Sequence, residues 1–464
     1  MKTETIEAML KAEWPQDRIG REHLPATLGS LRPIKAQVLL RAGSPRGLGT
    51  ATTVGAAVVI AVILGGTLLT GSWRDATSPL ASPSASASPA ATTPATASAR
   101  PSTTTAVPSP SELVSRSPQG FFTATGSTHA IGEPDVQAVR LKDGRVLVMD
   151  FGDAELYDPT TGTFTVTGPE SPARWWPSLT LLPDGSVLVA GGGVGADGKA
   201  MYRSADLYNP KTGKFTPTGS MGTARESHTG TLLSNGDVLI AGGDNNTTGT
   251  LASAELYDPL AGRFASAGSL PSPRDYHTAT LLNDGRVLFT GGYSSFGKAP
   301  LAAADLYDPR TGRFTRAGSM KAGRAFGTTT LLADGRVLIA GGTPDPLAGA
   351  WSSLASAEVF DPATNEFTPT GSMATRRIQA SATLLLDGRV LIAGGWDSNG
   401  PKNADGTSSF LASAEIYDPK AGTFGATGSM TVGRAEQAAA LLEDGRALIV
   451  SGDLPGSTAE LYTP

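Results

Sequence analysis

Aromatic, acidic and imidazole side chains follow regularly spaced arginines in this sequence. Two tryptophans follow Arg174, a glutamate and a histidine follow Arg225, and an aspartate, a tyrosine and a histidine follow Arg274. Aromatic rings with a few polar groups form small-molecule pockets, and carboxylates or imidazoles can transfer protons. The alternative is that the rings fill space between repeats and the histidines are ordinary hydrogen-bond donors. The predicted pocket residues are Trp175, Trp176, Glu226, His228, Asp275, Tyr276, His277 and Phe326.

The arginines themselves are a second candidate for ligand binding. A ring of guanidinium groups at a channel mouth would bind an anionic sugar or a carboxylate, and Arg225, Arg274 and Arg377 are its candidate residues. The favoured alternative is that each arginine pairs with a repeated acid and locks the repeats together, because a feature present in every repeat is scaffold. The arginines are Arg174, Arg225, Arg274, Arg324, Arg377 and Arg434, and the acids are Glu155, Asp206, Glu255, Asp305, Glu358, Glu415 and Glu460.

A repeat of about 50 residues positions these side chains. Each unit has an Asx-Gly pair, which favours a two-residue hairpin turn, then a Val-Leu-Ile-like run typical of a buried strand, and usually Gly-Gly. An aromatic residue and, in the complete units, a Phe seven positions later follow on two further strands. Seven such units of four short strands predict an all-β, seven-bladed β-propeller over residues 119–464. The turns begin at Asp143, Asp184, Asn235, Asp284, Asp334, Asp387 and Asp444.

The two ends of the repeat array complement each other. The sequence ends at Tyr462-Thr463-Pro464, directly after a third strand, so the last unit lacks its fourth. The segment around Phe122, before the first complete unit, has the fourth-strand pattern. We expect it to complete the seventh blade, because this pairing removes two open sheet edges.

The antiparallel blades predict two different faces. The Asx-Gly and Asp-Pro turns share one face, which is short and uniform. The segments before the innermost strands and the loops after Gly-Gly share the other, where loops 343–357 and 396–414 are long. Because loops carry function, the predicted pocket belongs to this variable face.

Three segments precede the propeller. Residues 47–73 are 27 uncharged residues, enough for a single transmembrane helix, which needs about 20. Basic residues on the N-terminal side place the tail, residues 1–46, in the cytosol and the propeller outside the cell membrane; a cleaved signal peptide is the alternative. Residues 74–118 are rich in Ala, Ser, Thr and Pro and predict a disordered linker.

The repeat resembles kelch repeats of the galactose oxidase central-domain type, through the Gly pairs (such as Gly191-Gly192) and the spaced Tyr/Phe pairs. The repeat departs from the kelch pattern where it has Phe for the usual Trp. The galactose oxidase relatives use copper with a Tyr–Cys cross-link, and this chain has no Cys, so a copper radical oxidase is disfavoured. The resemblance also implies a sugar epimerase or mutarotase, which would use an arginine for a sugar carboxylate and Glu226 or His228 as acid/base.

Composition narrows the function classes. A net charge of −5 argues against nucleic acid as a partner. The absence of Cys excludes Cys-based metal sites, and only four His argue against a His-rich metal centre. Loop 397–405 has oxygen donors suited to calcium, although it lacks the EF-hand register and a plain loop is favoured. The leading hypothesis is a membrane-tethered extracytoplasmic module that binds a protein or a carbohydrate. The alternatives are the sugar-active enzyme and a transmembrane sensor or adaptor.

Overall fold

Thirty short β-strands make up the part of the chain that the structure describes. The structure is a computed structural model, and it describes residues 120–464 except 130, 132–135, 171, 195–199, 347–351, 401–409 and 453–457. The predicted tail (1–46), transmembrane helix (47–73) and linker (74–118) lie outside the described residues. Within those described ranges, the structure has no helix of the length and apolarity that a bilayer requires.

The strands form seven four-stranded antiparallel sheets, the blades, and one short hairpin. Blade 1 contains β2 (Gln137–Arg140), β3 (Val146–Met149), β4 (Ala154–Asp158) and β5 (Thr163–Val166). Blade 2 contains β6 (Ser178–Leu181), β7 (Val187–Ala190), β10 (Ala205–Asn209) and β11 (Lys214–Pro217), with the hairpin β8 (Gly193–Val194) and β9 (Ala200–Met201) inserted. Blade 3 contains β12 (Thr229–Leu232), β13 (Val238–Ala241), β14 (Ser253–Asp258) and β15 (Arg263–Ser269).

The remaining four blades repeat this order, except that the last takes one strand from the start of the domain. Blade 4 contains β16 (Thr278–Leu281), β17 (Val287–Thr290), β18 (Ala303–Asp308) and β19 (Arg313–Ser319). Blade 5 contains β20 (Thr328–Leu331), β21 (Val337–Ala340), β22 (Ala357–Asp361) and β23 (Glu366–Pro369). Blade 6 contains β24 (Ser381–Leu384), β25 (Val390–Ala393), β26 (Ala414–Asp418) and β27 (Thr423–Ala426). Blade 7 contains β28 (Ala438–Leu441), β29 (Ala447–Val450), β30 (Ala459–Thr463) and β1 (Phe121–Ala124).

The innermost strands of the blades form a closed ring. Each of β2, β6, β12, β16, β20, β24 and β28 contacts the next, and β28 contacts β2 again. The second strand of every blade is buried along its whole length, as the Val-Leu-Ile runs predicted. Seven apolar clusters lie between neighbouring blades, and the one between blades 3 and 4 contains Leu239, Phe289 and Tyr307. The predicted all-β, seven-bladed propeller is confirmed.

The predicted closure of the ring is also confirmed. β1 pairs antiparallel with β30, so that Phe122 stands opposite Tyr462, and the two ring centroids are 4.9 Å apart. The backbone N–H of Thr125 donates to the carbonyl of Ala459 at 3.0 Å. The first described strand of the chain is therefore the outermost strand of blade 7, next to the last strand.

A hydroxyl contact joins most blades at their outer strands. A Thr at the end of one outer strand is hydrogen-bonded to the Tyr hydroxyl of the next blade, as between Thr218 and Tyr257 at 2.7 Å. At the junction of blades 3 and 4 the Thr position is Ala267, facing Tyr307, and at the next junction it is Ala317, facing Phe360. The other four pairs are Thr125–Tyr157, Thr167–Tyr208, Thr370–Tyr417 and Thr427–Tyr462.

We expect Tyr257→Phe to destabilise the propeller by about 1 kcal/mol, because it leaves the Thr218 hydroxyl without its partner. Tyr307→Phe is the matched control, since Tyr307 is equally buried but has Ala267 in place of the Thr. Thermal unfolding of the full chain measures both. Equal losses in the two variants would show that the hydroxyl contact contributes nothing.

Candidate functional site

The repeated arginines are buried inside their own blades. Arg377 is 1% exposed, and its Nη1 donates to the carbonyls of Gly394 and Ser413 at 2.8 Å each. Its Nη2 lies 3.1 Å from Glu415 Oε1. The other pairs are Arg174–Asp206, Arg225–Glu255, Arg274–Asp305, Arg324–Glu358 and Arg434–Glu460.

These arginines tie each blade to the segment that leads into it. Glu415 also accepts the backbone N–H groups of Ala374 and Thr375, which lie on the segment that leads into blade 6. The carbonyl of Arg377 accepts the N–H of Gly342 in the preceding blade at 2.8 Å. The arginines therefore pair with the repeated acids, as the favoured interpretation of the sequence proposed. The structure places the guanidinium groups of three predicted ligand-binding residues within the scaffold and away from solvent: Arg225, Arg274 and Arg377.

The two predicted site histidines lie between blades. His228 Nε2 is 3.0 Å from Ser178 Oγ, and His277 Nε2 is 3.1 Å from Thr229 Oγ1. Burial lowers the pKa of His228 to about 3, so its imidazole is neutral at physiological pH. A β-carbon at Gly191 would lie 2.6 Å from His228 Cε1, which explains the first glycine of that Gly-Gly pair. The structure does not bring these histidines to an exposed site.

Residues two positions after each arginine adopt a left-handed backbone conformation. Their φ angles lie between 48° and 57° although none is glycine. Each directly precedes the segment that enters an innermost strand, so these residues lie around the mouth of the central opening. The N–H of Tyr276 donates to the carbonyl of Ser227, and that of Phe326 donates to Tyr276; Gln379 and Glu436 continue this chain. We call this set the mouth ring: Trp176, Ser227, Tyr276, Phe326, Gln379 and Glu436.

Aromatic side chains cover one half of the mouth. The rings of Tyr276 and Phe326 are 4.5 Å apart between centroids, and Trp176 meets Tyr276 edge-on at 6.5 Å. Trp176, at blade 2, can contact Tyr276, at blade 4, because blade 3 between them contributes only the small Ser227 to the mouth ring. Trp175 lies 6.3 Å from Trp176. Phe151 stacks on Trp175 and Tyr293 contacts Phe326, completing the aromatic arc: Phe151, Trp175, Trp176, Tyr276, Phe326 and Tyr293.

The structure brings together the four aromatic residues predicted from the sequence, and Trp176 is 37% exposed. Sequence reasoning missed Phe151 and Tyr293 as members of the arc. The signal for Phe151 was its replacement of the first unit's Gly-Gly pair. Tyr293 follows Gly291-Gly292, at a position that pairs with the residue after each arginine.

Three carboxylates lie beside the aromatic arc. Glu226 pairs through its backbone with Asp244, and Asp275 pairs with Tyr293. Burial, with repulsion from Asp244, raises the pKa of Glu226 to about 7. Burial, with repulsion from Asp244 and Glu226, raises the pKa of Asp275 to about 7. We call Glu226, Asp244 and Asp275 the carboxylate group; sequence reasoning found two of its members and missed Asp244.

The other half of the mouth is polar and internally bonded. Gln379 Nε2 donates to Glu436 Oε1, and Trp396 Nε1 donates to Gln379 Oε1 at 2.8 Å. The side-chain groups of Gln379 are therefore already engaged. The mouth ring thus breaks the sevenfold symmetry of the scaffold, as a site for one ligand requires.

This chain shares its fold with a fungal alcohol oxidase. That protein, of the AA5 family and solved in complex with copper, is 19% identical with a TM-score of 0.58, over 75% of this chain and 76% of that chain. The structure of YjhT is 18% identical with a TM-score of 0.48, over 63% of this chain and 94% of that chain. No family model matches this chain. No curated protein matches it either. At these identities the comparisons show the fold alone.

The residues of this chain do not fit the cross-linked copper centre of the galactose oxidase relatives. A Tyr–Cys cross-link needs a cysteine, and the chain has none. In the part of the chain that the structure describes, no three His, Asp or Glu side chains are placed to hold a metal ion.

The predicted calcium loop is only partly described. Residues 401–409, with Asn403 and Asp405, lie outside the described residues. Asp397 Oδ1 accepts from Ser353 Oγ at 2.8 Å and from the Asn399 N–H at 3.0 Å. These contacts are those of an Asx turn, and calcium binding in loop 397–405 stays a prediction.

Cavity volume and side-chain chemistry favour different positions for a ligand site. A cavity of about 470 Å³ lies between blades 2 and 3, lined by Arg203, Met221, Glu255 and Phe264 among others. Its acid, Glu255, is already paired with Arg225. The cleft beside Trp175 and Trp176 measures about 10 Å³, room for a single water. We favour the mouth, where a ligand would lie on the surface of the aromatic arc, because the asymmetric side chains and the carboxylates without ion pairs are there.

Proposed function

We propose that this chain is a glycan-binding module that holds sugar units against the aromatic arc. The observation that carries the proposal is the contiguous aromatic edge formed by the exposed Trp176 and the half-buried Tyr276 and Phe326 beside the carboxylate group. Aromatic faces bind apolar ligand surfaces, and a few fixed polar groups then set orientation. In a sugar, the C–H faces would lie on the rings and the hydroxyl groups would donate to the carboxylates.

The backbone of the mouth ring supports this function. Non-glycine residues in the left-handed region cost about 1–3 kcal/mol each and persist only where the surrounding structure holds them. Here, hydrogen bonds between successive blades link the mouth-ring residues from Ser227 to Glu436. The conformation recurs in six blades, so it belongs to the scaffold, and it fixes the ring positions before the ligand arrives.

Charge narrows the ligand to uncharged or cationic glycans. The carboxylate group would repel uronic or sialic acids. The arginines that an anionic sugar would need are buried against their own acids, as in the Arg225–Glu255 pair at 3.0 Å. The membrane tether predicted from residues 47–73 would display this surface outside the cell. The sensor or adaptor role of the tail stays a prediction.

A second candidate function is the sugar-active enzyme of the epimerase or mutarotase type. One observation favours it: Glu226 and Asp275 each have a pKa near 7, which suits proton transfer at neutral pH. His228, the other predicted acid/base, is buried between blades. Mutarotation assays over common sugars test this candidate, and it fails if no rate exceeds background.

A glycan array probed with the full chain tests binding, with Trp175→Ala/Trp176→Ala as the test variant. We expect about a tenfold or greater loss of affinity for the best glycan, because two stacking surfaces are removed. Leu260→Ala is the control, since Leu260 is fully exposed on the turn face. Unchanged affinity in the double variant would contradict the proposal. Binding to a protein in pull-downs, with no glycan bound, would replace the glycan with a protein partner.

A further inference from the structure

The carboxylate group lacks a cation. In the described parts of the chain, none of Glu226, Asp244 and Asp275 makes an ion pair with Lys, Arg or His. The arginines adjacent to these acids in the sequence are paired elsewhere. Arg274, next to Asp275, is bound to Asp305, and Arg225, next to Glu226, is bound to Glu255. Three carboxylates therefore lie close enough to repel one another beside the aromatic arc, without a neutralising partner.

A second observation points to a ligand at this place. Asp275 is only 5% exposed, yet its Oδ1 has no hydrogen-bond partner among the described residues. Ser227 Oγ, in the mouth ring and next to Glu226 in the sequence, also has none. Buried polar atoms are usually bonded, so unpaired ones next to an exposed aromatic surface indicate groups that bind a ligand.

The spacing favours an organic cation over a metal ion. The described residues contain no three acids or imidazoles grouped closely enough to hold a metal. An ammonium group needs less convergence, because it donates three separate hydrogen bonds and is also attracted to aromatic faces. The rings of Trp176 and Tyr276 provide such faces next to the acids.

We propose that the mouth binds ligands that carry an ammonium group, with amino sugars as the chemical class. The amine would donate to Asp275 and Glu226, while the sugar ring lies on Trp176 and Tyr276. This inference rests on the glycan-binding function proposed above and specifies its ligand.

Binding of a cation should release protons. The titratable groups facing Asp275 are Glu226 and Asp244 from blade 3, with Tyr276 and Tyr293 from its own blade. Because burial raises the pKa of Asp275 and of Glu226 to about 7, both are partly protonated at neutral pH. An ammonium ion favours the ionised carboxylate and so lowers both pKa values. Proton release is therefore expected near pH 6, where the carboxyl groups are protonated and the amine is charged. Near pH 9 the carboxylates are ionised but the free amine is neutral, so binding as ammonium should take up protons instead.

Calorimetric titration of the full chain with a glucosamine tetramer tests the inference, with the N-acetylated tetramer as the uncharged probe. We expect the amine form to bind at least tenfold more tightly at pH 7. At pH 6 its binding heat should vary with the ionisation enthalpy of the buffer, because the carboxyl groups release protons while the amine is already charged. Asp275→Asn should reduce the tenfold preference to about twofold or less, whereas Asp237→Asn, the same charge change on the turn face, should leave it intact.

The possible outcomes separate the two proposals. If both tetramers bind equally, the ammonium inference is wrong and glycan binding stands. If a broad glycan array and both tetramers show no binding, glycan binding itself fails. If Asp275→Asn keeps the preference, the amine does not contact this group.

Stability provides a check on the variant. The folded pKa of Asp275, about 7, lies above its ordinary value, so its ionisation destabilises the fold as the pH rises from about 4 to 7. Asp275→Asn should therefore melt higher than the parent chain at pH 8 and equally at pH 4. A variant that melts lower at pH 8 would contradict an unneutralised Asp275. If Asp275→Asn does not fold, Glu226→Gln takes its place in both measurements.

Discussion

A full chain that lacks residues 120–126 is expected to unfold roughly 10 °C below the intact chain. The deletion removes β1 and with it the antiparallel pairing to β30 over four residues. It also removes the contact between Phe122 and Tyr462 and the 2.9 Å hydrogen bond between Thr125 and Tyr157. Together these losses amount to on the order of 5 kcal/mol. The exposed edge of β30 would in addition promote aggregation.

Two comparisons isolate the closure of the ring from the deletion itself. A full chain without residues 90–96, in the predicted linker, loses the same length and should melt with the intact chain. Phe122→Ala should destabilise the propeller, because Phe122 packs on Tyr462, whereas Phe121→Ala should not, because Phe121 is 53% exposed. Scanning calorimetry measures all four chains. If the chain without β1 melts with the intact chain, the ring is closed by other contacts.

The fold could be predicted from the sequence because its local signals recur in phase. The Asx-Gly pair marks a tight turn, but the predicted two-residue turn is wrong. Leu141 pairs with Arg145 around a three-residue loop, and only Gly144 of the Asp-Gly pair has φ > 0. Seven such turns, about 50 residues apart, then determine the number of blades. The closure by Phe122 was predictable because the missing strand and its replacement stand at opposite ends of the same repeat.

The candidate site was predictable only in part. Trp175, Trp176, Tyr276 and Phe326 were found because they break the repeat at one position. Asp244 was missed because it joins Glu226 only through strand pairing across the blade, which the sequence does not show.

The mouth ring shows another limit of sequence reasoning. A left-handed conformation is expected of glycine, yet at this mouth Trp, Tyr, Phe, Gln and Glu residues adopt it. Hydrogen bonds between successive blades link the residues from Ser227 to Glu436, and no local sequence signal encodes those bonds. His228 and His277 were predicted as site residues because the sequence also does not show how neighbouring blades pack. Whether His228 faces the opening or the next blade depends on packing between blades.

In this propeller the repeated residues stabilise the fold, and we propose that the residues that differ between blades bind the ligand. The arginine–acid pairs occur in six blades and connect each of those blades to the segment that leads into it. The mouth ring occupies the same positions in those blades but varies in side chain, so it can build one specific surface. A substitution in the first set should change stability, and one in the second should change binding.

The buried pair in blade 6 tests this division. We expect Glu415→Gln to destabilise the propeller by about 3 kcal/mol or more, because it leaves the Arg377 charge buried without a counter-charge. The new amide would also present a donor to the N–H groups of Ala374 and Thr375, which the carboxylate now accepts. Asp387→Asn is the matched control in the same blade. Its salt bridge with Arg389 is exposed, so its loss should cost less than about 1 kcal/mol.

Glycan affinity, measured well below the unfolding temperature, completes the test of Glu415→Gln. Arg377 belongs to the scaffold in this structure, so affinity should stay within twofold of the parent chain while thermal unfolding shifts down by several degrees. Affinity and melting temperature report on different roles of Arg377. If its guanidinium contacted the ligand, Glu415→Gln would lower affinity, whereas in the scaffold role it lowers only stability. Loss of affinity at unchanged melting temperature would return Arg377 to the ligand site and would contradict its scaffold role.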